Sequence, residues 1–147
     1  MEKMPKELME HMTAATFIDT YSLDVSAEEA AEKVGCKVVI PEPNQLQLDL
    51  DSEEAYNNFK NRLMEFERHS CYIIELEEHP SKKGLPHRHV TLTVFNPDTT
   101  PHVFGEYERI ALQAVLGSDI VRETLNCWRL IRGSENPSRL FEPIDPR

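Results

Sequence analysis

Six side chains carry most of the chemistry legible in this 147-residue chain: Asp49 and Asp51, Glu75 and Glu77, His87 and His89, each pair two residues apart. In a strand successive side chains point to opposite faces, so a spacing of two keeps both members of a pair on one face. Paired carboxylates are hard oxygen donors that hold Mg²⁺ or Mn²⁺ and leave positions for water and substrate phosphates, while imidazole admits Zn²⁺ or Mn²⁺ and contacts phosphate itself. Each residue also has an ordinary explanation. The outward face of any antiparallel sheet is polar. Asp51 before Ser52-Glu53-Glu54 reads as a helix N-cap, and Asp119, after Ser118 at the start of the last helix, reads as another. Asp49 is harder to explain away, because acidic residues are depleted in strand interiors and this one interrupts a run of alternating leucines.

The elements that must position these groups follow from periodicity. Leu46, Leu48 and Leu50 alternate with Gln47, Asp49 and Asp51, the pattern of a half-buried strand. Ala55, Phe59, Leu63 and Phe66 then recur at intervals of three and four, which predicts an amphipathic helix over 52–69 packed on the sheet. A strand over 71–77 follows, then a loop over 79–86 with Ser81, Lys82, Lys83 and Gly84. The next strand, 87–95, turns Val90, Leu92 and Val94 one way and His87, His89, Thr91 and Thr93 the other. Helices over about 104–116 and 120–132 end at Gly117 and Gly133, and three prolines leave the tail irregular. Upstream, Ser26 with Glu29 forms a capping box for a helix over 27–34 closed by Gly35, a short strand covers 37–40, and 41–44 is a turn. Residues 1–25 read as an extension, with a short helix over 5–12, and 26–147 as one α+β domain. Its centre is a strand-helix-strand-strand unit with one helix-covered face, one polar face and flanking helices.

Composition bounds the partners. The net charge of -10 argues against a generic grip on nucleic acid or anionic lipid. The charge is uneven: residues 1–78 hold 7 Lys+Arg against 18 Asp+Glu, and residues 79–147 hold 9 against 8, so nucleic-acid contacts belong to the second half. Cys36, Cys71 and Cys127 are too widely spaced for a cysteine zinc site and read as unpaired, largely buried thiols of a reducing compartment. No segment approaches the ~20 apolar residues of a membrane span, and a cytoplasmic protein is expected.

Two stretches carry a resemblance. Leu46-Gln47-Leu48-Asp49-Leu50-Asp51 and Ser81-Lys82-Lys83-Gly84-Leu85-Pro86-His87-Arg88-His89-Val90 resemble the first two motifs of the archaeo-eukaryotic primase (primase-polymerase) superfamily. The resemblance implies an RRM-like core in which Asp49 and Asp51, with Asp119 as third acid, hold Mg²⁺ or Mn²⁺, and His89 contacts the incoming nucleotide. Ser81, Lys82, Lys83 and His87 would add nucleotide contacts. So would Arg132, in a stretch over 129–137 that looks like the arginine-containing segment after the third motif. The implied activity is nucleotidyl transfer in phage- or plasmid-type DNA replication. Its partners would be nucleoside triphosphates, single-stranded or primed DNA, and a replication protein.

Two alternatives stay open. The stretch from Glu75 to Val94 is similar to the metal motif of HUH replication-initiator nicking endonucleases, with His87, His89 and Glu75 or Glu77 as ligands and Tyr107 as the nucleophile. The last two helices, joined by Gly117-Ser118-Asp119, are compatible with a helix-turn-helix whose Arg122, Arg129 and Arg132 reach a DNA backbone, in a replication accessory without catalysis.

Overall fold

The computed structural model of the protein describes residues 35–81, 83–133 and 137–143. The helices expected over 5–12 and 27–34 lie outside them, as do the extension 1–25 and Lys82. Gly35 has φ +74, the left-handed conformation expected of a residue closing a helix. In chain order the elements are β1 (Cys36–Val39), β2 (Gln45–Leu50), α1 (Glu53–Ser70), β3 (Ile73–Pro80), β4 (Arg88–Phe95), α2 (Glu106–Val115), α3 (Ile120–Ile131) and β5 (Leu140–Pro143). The class is α+β. Among the described residues, no helix is long and apolar enough to cross a membrane.

The main sheet has the order β2-β4-β3 and is antiparallel throughout. Alternation works as expected on its apolar face: Leu46, Leu48 and Leu50 of β2 and Val90, Leu92 and Val94 of β4 are wholly buried against Phe59 and Leu63 of α1. Phe104 and Leu116, flanking α2, close the same core. Helix α1 starts at Ser52, whose Oγ accepts from the Ala55 amide at 3.0 Å, so the cap is Ser52 and the Asp51 side chain is left for other work. The turn after α2 needs Gly117, because its φ of +100 is one that residues with a Cβ rarely adopt.

Four expectations are corrected. His79 and Pro80 do not begin a loop; they extend β3 and pair with His89 and Arg88. The tail is not wholly irregular, because β5 pairs with β1 in a separate two-stranded ribbon, Val39 opposite Leu140. The polar face of the sheet is not simply solvated, since Gln47, His89 and Thr91 on it are buried. Of the three cysteines, which form no disulfide, only Cys36 is buried.

The outer edge of β2 explains how α2 and α3 are seated. An edge strand exposes every second residue's N–H and C=O, and each such group left buried and unpaired costs about 1–3 kcal/mol. Here the row is completed without another strand. The Gln45 amide donates to the Glu42 carbonyl, and the Gln45 carbonyl accepts from Arg109 Nε at 2.9 Å. The Gln47 amide donates to Gln113 Oε1 at 2.9 Å, and its carbonyl accepts from Arg122 Nη1 at 2.5 Å. The Asp49 amide donates to Ser118 Oγ at 3.0 Å, and its carbonyl accepts from the Asp119 amide at 2.7 Å. Behind this row Glu123, 2% exposed, accepts from Gln113, Ser118, Arg122 and Asn126. Replacing Gln113 by Leu keeps the volume but strands the Gln47 amide and removes a donor from Glu123. We expect Gln113→Leu to lower stability in urea unfolding by about 2–4 kcal/mol, against less than about 0.5 kcal/mol for the exposed Val115→Ala.

Candidate metal centre

The register brings the C-terminal end of β2, the N-terminal end of β4, the β3–β4 loop and the start of α3 to one end of the sheet. Asp49 lies directly opposite His89, which lies opposite His79, so one row across the face reads Asp49, His89, His79. Asp51 follows the last residue of β2. Asp119 is the N-cap of α3, its Oδ2 accepting from the Arg122 amide at 3.1 Å, and its own amide is the donor that clasps the Asp49 carbonyl. Together these placements set one carboxylate oxygen of each of Asp49, Asp51 and Asp119 within 4.8 Å of the other two. Asp119 is thus both a cap, as its position after Ser118 suggested, and a member of an acid cluster.

Three half-buried carboxylates so close cannot all ionise freely. Burial first, and then the charge of Asp51, push the Asp49 carboxyl up to about 6, while His89 and Arg122 pull the other way. Asp119 is also held above its ordinary value, chiefly by burial, with Asp51 adding to it and the Arg122 amide opposing it. The histidines flank the acids: His87 Nδ1 stands 3.1 Å from Asp51 Oδ1, and His89 Nε2 stands 3.7 Å from Asp49 Oδ1. The donor set is hard oxygen with imidazole beside it, which fits Mg²⁺ or Mn²⁺, and a divalent charge would relieve the repulsion that protons relieve otherwise.

Other expected site residues are placed less closely. Ser81 and Lys83 stand at the same end of the sheet, in a turn where Ser81 O accepts from the Gly84 amide and Gly84 O from the His87 amide, both at 2.9 Å. Lys82 lies outside the described residues. Arg132 is the C-cap of α3, at the far end of a helix of 12 residues from Asp119, about 18 Å of rise. The structure therefore does not bring Arg132 to the acids of its own chain. Arg122, one turn into that helix, is the guanidinium whose charge bears on Asp49. Its sequence position marked it only as a surface contact; nothing in a local pattern reveals that its partner is a strand edge 75 residues earlier. His79 was a candidate only by its nearness in sequence; continuing the alternation Glu75, Glu77, His79 puts it on the same face.

Glu75 and Glu77 share the face of His89 but are exposed on β3, opposite Thr93 and Thr91, two rows and one row removed from Asp49 respectively. Among the described residues, they and the two histidines form no group of three close enough to hold an ion. Tyr107 is exposed on α2. Of the arginines that a helix-turn-helix would offer to DNA, Arg122 and Arg129 are buried and face inward. The chain matches no family model, and no curated protein and no solved structure is significantly similar to it.

A carboxyl whose folded value, about 6, lies above its ordinary 3.8 takes up protons on folding. The stability contributed by protonated Asp49 is present below its ordinary value and lost as pH rises through its folded one, leaving a charge penalty at neutral pH. We expect Asp49→Asn to stabilise the metal-free protein at pH 7.5 by about 1–3 kcal/mol, with the gain vanishing by about pH 4, as read by urea unfolding at several pH values.

Proposed function

We propose that the protein is a divalent-metal-dependent nucleotidyltransferase of the primase-polymerase type, acting on nucleoside triphosphates and a DNA 3′ end in replication. The observation that carries this reading is the Asp49, Asp51 and Asp119 cluster beside His89. Asp-x-Asp ends a buried strand, a third acid arrives from a distant part of the chain, and a histidine stands directly across the register. The order β2-β4-β3 with α1 between β2 and β3 supports an RRM-like core, since that unit places its first strand beside its third.

Asp49, Asp51 and Asp119 would hold Mg²⁺ or Mn²⁺, which when bound supplies Lewis acidity at the triphosphate and favours the alkoxide of the attacking 3′-hydroxyl. The chain's own groups do the rest. His89 is fixed by its central strand and buried, so its ring approaches a phosphate without first giving up conformational freedom. His87, held beside Asp51, and Ser81 and Lys83 on the neighbouring turn offer donors and positive charge to the outer phosphates. Arg122, already paired with Glu123, adds a smaller favourable charge beside Asp49.

The nicking reading is second. Its histidines are present on one face, but it asks Tyr107, exposed on the outer side of α2, to reach the same centre.

Calorimetric titration with Mn²⁺, with and without a non-hydrolysable nucleoside triphosphate, is the direct test, alongside primer extension. Binding should strengthen with nucleotide, and both binding and incorporation should be lost in Asp49→Ala. Incorporation that survives in Asp49→Ala would sink the proposal. A covalent DNA adduct that disappears in Tyr107→Phe would establish the nicking reading instead.

A further inference from the structure

Helix α3 has its polarity reversed. The side it turns to the protein carries Arg122, Glu123, Asn126 and Arg129, all buried, with Leu125. The opposite side carries Ile120, Thr124, Cys127 and Ile131, spaced by four, three and four residues, which keeps all of them in one narrow stripe. Ile120 is 67% exposed and Ile131 75%. Beside the stripe runs a groove of about 470 Å³, whose other wall is Tyr107, Ala111 and Ala114 of α2. A helix that buries its charges to complete a strand edge and leaves its isoleucines outside has an apolar face still to be covered.

We infer that a second copy of this chain covers it, α3 packing antiparallel on α3 about a two-fold axis between residues 125 and 126. The spacing itself is self-complementary. Antiparallel pairing about that axis sets Ile120 opposite Ile131 and Thr124 opposite Cys127, so each large side chain meets a large one at the ends and small ones meet at the centre, where the helices approach most closely. An alternation of four and three is also the spacing of a two-helix seam. A two-fold interface requires one patch to match itself, and this one does. The charges agree. The chain carries -10 overall, but residues 79–147 hold 9 Lys+Arg against 8 Asp+Glu, so copies meeting through this half do not repel as they would through residues 1–78, with 7 against 18.

Sedimentation velocity of the full chain from about 1 to about 200 µM tests this. The expected result is a reversible monomer–dimer equilibrium. Thr124→Arg, which puts a charge at the axis, and Ile131→Lys, at a site 75% exposed and outside the core, should each weaken it more than about tenfold with an unchanged circular dichroism spectrum. In a Cys71→Ser background, a short bismaleimide should join two chains through Cys127. A wild-type chain that stays monomeric at the highest concentration overturns the inference. So does a dimer that both substitutions leave intact, or one in which Cys127 does not cross-link. None of these readouts involves metal or nucleotide, so they stand apart from the test of the acid cluster.

Discussion

A strand at the rim of a sheet presents a row of amide groups that water or another strand must satisfy, and in this protein side chains from two helices and the turn between them satisfy it instead. Arg109, Gln113, Ser118 and Arg122 are bound to the backbone of β2. That arrangement dictates much of what surrounds it. A guanidinium brought to a buried carbonyl needs a counter-charge, and Glu123 supplies it; a buried carboxylate needs its lone pairs filled, and Gln113, Ser118 and Asn126 fill them. The inner side of α3 is polar for this reason, and its apolar residues are left on the outside.

The same contacts create the acid cluster. The two backbone groups of Asp49 are held by consecutive residues, Ser118 and Asp119, so the start of α3 is fixed against the end of β2. Three carboxylates are thereby forced together in a half-buried place, a cost to the metal-free fold that one arginine and two histidines only partly offset. Unfavourable charge concentrated at one end of a sheet, beside an otherwise well-satisfied polar network, is the pattern expected where stability has been given up for a ligand.

What could be read from the sequence was what depends on near neighbours. The leucine alternation of β2, the stripe of α1 and the glycine stops after α2 and α3 are all local, and each element lies within a few residues of where its pattern put it. The Asp49, Asp51 and His89 face was legible for the same reason, because a period of two settles which side chains share a side. Contacts across long separations were not. β5 exists because β1, about a hundred residues away, pairs with it. His79 and Pro80 looked like a loop until β4 offered them a partner. Arg122 and Arg129 read as surface cations because periodicity assigns charged residues to the outside, and for Arg122 the unfilled edge of β2 reverses that assignment.

The clasp between Asp49 and the start of α3 also governs where chain length can change. The turn over 116–119 joins a helix seated on the core to residues whose amide and hydroxyl are already committed to Asp49. One residue inserted there would pull the start of α3 out of step with Asp49 and carry Arg122 and Glu123 away from the β2 edge. The β3–β4 loop is tied to that end of the sheet by the His87 side chain on Asp51 instead. Chain length is therefore held most tightly in the three or four residues that precede Asp119.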